Sequence, residues 1–187
     1  MDSPDDRQRF EAVYAQCYAA VLSYVRRRST SPDDAADAMA ETFTTAWRKV
    51  SEIPAGDEAR LWLYGVARRV LANQRRGESR RSALANRLRG ELAVLESSRA
   101  EEPGDSSAAD LREAFSRLSE EDRELLALIG WEGLSPAEAA TVLGSSRGAV
   151  RIRLHRARKR LAKELDAVGL DVTRYGARAV ALVEGRS

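Results

Sequence analysis

Two helix starts on either side of a single glycine constrain this chain more than anything else in it. Ser135-Pro136-Ala137-Glu138 offers a good N-cap, a proline at the first helical position and a glutamate placed to close a capping box. The helix it opens runs to about Leu143. Gly144 supplies the turn, and Ser145 or Ser146 caps the helix that follows. In that second helix Val150, Leu154, Ala157 and Leu161 recur on one face. A short helix, a glycine turn and a longer helix make a helix-turn-helix.

The longer helix is basic. Arg147, Arg151, Arg153, Arg156, Arg158, Lys159, Arg160 and Lys163 meet no acidic residue before Glu164. A solvated surface helix ordinarily mixes charge signs, so the unmixed run points to a nucleic acid. The formal net charge of +2 hides this field. Just upstream Asp110, Glu113, Glu120, Glu121, Asp122, Glu124, Glu132 and Glu138 outnumber Arg112, Arg117 and Arg123. A recognition helix enters the major groove N-terminus first. Ser146, Arg147 and Arg151 then come nearest the base edges, where arginine pairs best with guanine O6 and N7. Arg153, Arg156, Arg158, Lys159 and Arg160 are placed to hold phosphates.

Other chemistry finds little support. Cys17 is the only cysteine and His155 the only histidine, so an intramolecular disulfide is excluded and a metal site or nucleophile–base pair is poorly supplied. Cys17 lies in an apolar helical pattern and reads as a small buried residue. His155 reads as a polar residue beside phosphate. With no phosphate loop or triad spacing, the expectation is a protein that is not an enzyme and needs no cofactor or metal. The N-terminus is acidic and polar, unlike a signal peptide, and no apolar run approaches a membrane span, so a cytoplasmic location is expected.

The first half reads as three more helices. From Arg9 to about Arg28, Phe10, Val13, Tyr14, Cys17, Val21 and Tyr24/Val25 form a stripe. Ser31-Pro32-Asp33-Asp34 starts a second helix, to about Val50, with Ala35, Met39, Phe43 and Ala46/Trp47 inward. Asp34, Asp37 and Glu41 share another of its faces. Residues 53–57 make a loop. Glu58 to Arg76 is a third helix, with Trp62, Val66, Val70, Leu63, Ala67 and Leu71 apolar. Trp62 starts that stripe and reads as a core anchor, with base stacking as the alternative. Arg68, Arg69, Arg75 and Arg76 lie off it.

After Gly77 the composition changes. Leu84, Leu88, Leu92 and Leu95 allow a marginal helix, and residues 97–109 have a linker composition. The expected fold is all-α: two small helical domains, residues 1–76 and 109–165, joined by a flexible linker, 77–108, with a tail, 166–187. In the second domain a helix is expected from Ala109 to Leu118. The next is capped at Ser119, carries Leu125, Leu126, Leu128, Ile129 and Trp131, and ends at Gly133.

DAADAMAETF (Asp34 to Phe43), WLYGVARRVLANQRR (Trp62 to Arg76) and LSPAEAATVLGSSRGAVRIRLHRARKRL (Leu134 to Leu161) together resemble the extracytoplasmic-function (ECF) group of the sigma-70 family of bacterial RNA polymerase sigma factors. That resemblance implies a region 2 three-helix bundle and a region 4 helix-turn-helix directing promoter-specific initiation. It implies contact of Asp34, Asp37, Glu41 and Phe43 with the clamp of the polymerase largest subunit, and docking on the flap. It places Trp62, Arg68, Arg69, Asn73, Arg75 and Arg76 at the −10 element, with a flipped base held by the loop from Ile53 to Glu58. Ser146, Arg147, Arg151, Arg153, Arg156, Arg158 and Lys159 fall at the −35 element. An anti-sigma factor is a further implied partner. The chain departs from the family's usual residues at Ala38, Ala40, Arg69 and Asn73. The alternative is a helix-turn-helix regulator that binds DNA without core polymerase.

Overall fold

The computed structural model describes residues 4–89, 113–167 and 169. Leu92, Leu95, Leu111, most of the expected linker and most of the tail lie outside them. Every regular element among the described residues is helical. The chain divides into two compact units, Met1–Glu96 and Ser97–Ser187.

The first unit packs α1 (Pro4–Arg26), α2 (Pro32–Arg48) and α3 (Glu58–Arg89) against one another. α1 buries Val13, Cys17, Val21, Tyr24 and Val25, and α2 buries Ala35, Ala38, Met39, Thr42, Phe43 and Ala46. Ser31 caps α2 by accepting a hydrogen bond from the Asp34 backbone N–H at 3.1 Å, with Pro32 next in the chain. A 3₁₀ turn at Val50–Glu52 leads into the loop, whose Ile53 is buried and whose Gly56 sits at φ 64°. Arg9 on α1 donates to the Ile53 carbonyl and pins the loop to the bundle.

α3 departs from expectation at its far end. It continues through Gly77 to Arg89, so residues 77–89 of the expected linker are helical. Gly77 is not among the residues with positive φ and does not act as a terminator. Interior glycine costs a helix about 1 kcal/mol. Arg, Glu, Ala and Leu on both sides are strong helix formers and offset it.

In the second unit a helical turn at 113–116 precedes α4 (Glu120–Gly130), α5 (Pro136–Leu143) and α6 (Arg147–Ala167). Ser119 caps α4 through the Asp122 N–H at 3.2 Å. α4, α5 and α6 pack pairwise around Leu125, Leu126, Leu128, Ala140, Val150, Leu154 and Leu161. α4 ends at Gly130, three residues before the expected stop, and Gly133 adopts φ 67° in the turn that follows. Trp131, expected with the apolar residues of α4, is instead 51% exposed and lies against Phe115 at 5.5 Å between ring centroids.

Candidate nucleic-acid interface

The helix-turn-helix is built by its caps. Ser135 accepts from the Glu138 N–H while the Glu138 carboxylate accepts from the Ser135 N–H at 2.7 Å, a complete capping box. At the other end Gly144 is left-handed, φ 61° and ψ 37°. The Ser145 N–H donates to Ala140 O at 3.0 Å, closing a Schellman-type turn. Ser146 then caps α6, its hydroxyl accepting from the Ala149 N–H at 3.2 Å. Of the two serines left open by sequence, Ser146 is the cap.

α6 turns one stripe inward, Val150, Leu154, Ala157, Leu161 and Leu165. Arg147, Arg151, Arg153, Arg156, Lys159 and Lys163 are exposed, as are Ser146 and His155. Arg158 is half-buried, and loss of water around it pushes its guanidinium pKa down from the ordinary arginine value. Arginine nevertheless stays charged at neutral pH.

Arg160 does not join the expected phosphate row. Its Nη1 donates to Asp122 Oδ2. Asp122 is buried in the first turn of α4. A buried carboxylate needs a cationic or hydrogen-bonding partner, and Arg160 is the nearby cation that satisfies it. Behind it, Arg117 bridges Glu113 at 2.6 Å and Glu164 at 3.4 Å, and these bonds, Glu164 first, raise its pKa. Acidic residues thus meet α6 on its packed side and at its C-terminal end. The outward surface of its N-terminal half stays cationic.

In the first unit four of the six candidate −10 residues fall on one face of α3. At about 100° per residue, Trp62, Arg69, Asn73 and Arg76 share a face, while Arg68 and Arg75 lie about 110–130° round the helix from its centre. Arg69, Asn73, Arg75 and Arg76 are exposed, and Arg68 is half-buried. Arg76 Nη2 donates to Asn73 Oδ1 at 2.6 Å. Trp62 is half-buried and does not anchor the core. That place is taken by Leu61, Leu63, Tyr64, Val66, Ala67, Val70 and Leu71. Tyr64 stacks on Tyr24 with centroids 4.9 Å apart, and the Arg28 guanidinium lies 3.7 Å from the centroid of the Tyr24 ring. The buried, anchored Ile53 leaves the outer part of the loop, around Gly56, as its accessible side.

The acidic strip on α2 separates into two kinds of residue. Asp34 Oδ2 accepts from the Ser31 hydroxyl at 2.6 Å and the Thr30 hydroxyl at 2.5 Å, so Asp34 helps to cap the helix. Asp37 and Glu41 are exposed further along. Phe43, expected at the polymerase contact, is 7% exposed. It lies on the Ala35–Met39–Ala46 face and meets Tyr14 edge-on at 4.7 Å. The aromatics exposed beside it are Tyr18 and Tyr14, the latter expected in the apolar stripe of α1 but lying at its exposed edge.

Cys17 is buried, and desolvation raises its pKa, with Arg60 opposing and Asp57 adding. A thiol held protonated is a weak nucleophile. Among the described residues no group of His, Cys, Asp and Glu is arranged to hold a metal ion, and no helix is long and apolar enough to cross a membrane.

Comparison with known proteins bears on both units. The Sigma-70 region 2 family matches residues 13–81, and the Sigma-70 region 4 family matches residues 108–161. The chain is 30% identical over 165 residues to the ECF RNA polymerase sigma factor SigL of Mycobacterium tuberculosis, spanning 85% of this chain and 90% of that one. It is 32% identical over 142 residues to the ECF RNA polymerase sigma factor SigF of Caulobacter vibrioides, 76% of each. Among solved structures it is similar to the sigma factor RpoE of Bartonella quintana, in complex with the anti-sigma factor NepR. The TM-score is 0.63 at 26% identity, over 84% of this chain and 96% of that one. CnrH, solved with the cytosolic domain of CnrY, gives 0.57 at 23% identity over 84% of this chain and 88% of that one, a likeness of fold.

Proposed function

The chain belongs to the ECF group of the sigma-70 family of RNA polymerase sigma factors, and on that premise we propose how its surfaces divide the work. It acts with RNA polymerase in promoter-specific initiation of transcription, with core polymerase and promoter DNA as its partners. Residues 1–76 carry the polymerase and −10 contacts, 109–165 carry the −35 contacts, and 77–108 connects them. Asp37 and Glu41 dock on the polymerase clamp, with Asp34 setting the helix they stand on. Arg68, Arg69, Asn73, Arg75 and Arg76, with Trp62 beside them, face the −10 element. Ser146, Arg147, Arg151, Arg153, Arg156, Arg158 and Lys159 face the −35 element, with the first three nearest the bases. Its place of action is the cytoplasm. The anti-sigma factor NepR bound to RpoE supports an antagonist of the same kind here.

One observation carries this reading. α6 is seated by a buried apolar stripe and presents an exposed cationic surface from a capped, glycine-turned start. The test is reconstitution of the full chain with core polymerase, followed by run-off transcription on genomic fragments. Discrete promoters are expected. A helix-turn-helix regulator predicts neither stable association with core nor transcription dependent on the added chain, and it leaves the region 2 match without a purpose.

Arg151 gives a finer prediction. Arg151→Ala is expected to flatten the −35 preference by about 1–3 kcal/mol at one base pair. Binding of each single-base variant of the −35 duplex measures it. An equal loss on every sequence would make Arg151 a phosphate contact instead.

A further inference from the structure

Ile152 has no packing reason to be where it is. It is 58% exposed, the most exposed of the large hydrophobic side chains described. It stands two residues from Val150 and two from Leu154, which puts it on the side of α6 opposite the buried stripe. Scattered exposed apolar residues are normal on a protein surface. This one is not scattered. Exposed Arg151 and Arg153 flank it in sequence, and exposed Arg156 and Lys159 lie one and two turns further along. Isoleucine is also a poorer helix former than the arginines around it, and here no burial offsets that.

Apart from Arg147 and Arg151, which stand on its flank, the exposed residues before it are small. Ser145, Ser146, Gly148 and Ala149 are all exposed, and a Cβ added at Gly148 would meet nothing within 4 Å. The leading turn of α6 is therefore slim on its outward side, and Ile152 is the first bulky group there. A helix of this shape seats its leading turn deep between two phosphate walls. The cations on its flanks reach the walls and the base edges beside them, and the group on its outward midline reaches the floor. The major-groove floor presents hydrogen-bonding groups and one apolar one, the C5 methyl of thymine.

Resting on the −35 reading above, we propose that Ile152 is a specificity-determining residue that packs on a thymine methyl group in the −35 element. It favours an A·T pair at one position by covering that methyl, while neighbouring arginines read guanine or hold phosphate.

Deoxyuridine in place of thymine deletes the methyl and leaves every hydrogen-bonding group in place. The full chain, bound to core polymerase, first selects its −35 duplex from a randomised pool. Each thymine of the selected duplex is then replaced in turn. One replacement is expected to weaken binding about 3- to 5-fold, the worth of one buried methyl group. Ile152→Ala is expected to weaken binding to the thymine duplex by a similar factor and to make that replacement silent. The idea is overturned if the wild-type complex tolerates every replacement, if the selected element holds no thymine, or if Ile152→Ala keeps the wild-type sensitivity. In those three cases selective binding survives and the −35 reading stands. Binding without any sequence selection overturns both.

Discussion

Asp37→Lys combined with Glu41→Lys is expected to lower affinity for core RNA polymerase by about two orders of magnitude or more. Both carboxylates are exposed on α2, beyond its first turn. The helix dipole favours anions only within that turn, so support of the helix does not account for them. Removing a steering charge weakens an interface modestly, but setting like charges against each other costs several kcal/mol. Each 1.4 kcal/mol is tenfold in affinity. Fluorescence titration of labelled chain with core polymerase gives the number, and a melting curve of the double variant should match the wild type. Unchanged affinity would move the clamp contact elsewhere on the first unit. Asp34 is the wrong residue for this experiment, because its carboxylate accepts from Ser31 and Thr30 and its loss would loosen the helix start.

The second large effect is on folding. Leu161→Ala should unfold the −35 unit and leave the first unit intact. Leu161 is 1% exposed, on the inward stripe of α6. Truncating a buried leucine costs about 2–5 kcal/mol. A core as small as the one shared by α4, α5 and α6 rarely supplies more than about 3–5 kcal/mol in total. The loss is thus comparable to the whole stability. Hydrogen exchange separates the two units in one sample. Amides of α4 to α6 should lose protection, while those around the Tyr24–Tyr64 stack in α1 and α3 keep theirs. Full protection of α6 in the variant would mean that the helix is held by something other than this stripe.

Local signals were the readable ones. Ser31, Ser119 and Ser135 could be named as caps because a cap is decided within four residues, and Gly144 as the turn for the same reason. The inward stripe of α6 followed from periodicity alone. Contacts made across the chain were not readable. Arg160 looked like every other arginine of its run, and only the fold brings it to Asp122, thirty-eight positions away. The resemblance implies a polymerase contact for Phe43, while its spacing from Ala35 and Met39 places it inside, where the fold has it. The place of Tyr64 in the core depends on Tyr24, which lies on another helix. Gly77 misled in the opposite way. Glycine permits a helix to stop but does not require it, and the residues around it favour continuation. Spacing puts Ile152 opposite the inward stripe, but only the fold shows that nothing covers it.

The pairing of Arg160 with Asp122 reaches beyond the fold into the solution around the DNA. Each phosphate that a protein neutralises frees a condensed counterion, and in a logarithmic plot of affinity against salt it adds about −0.9 to the slope. A guanidinium already neutralised by an internal carboxylate frees none. Titrating potassium should therefore register the outward cations of α6 and pass over Arg160.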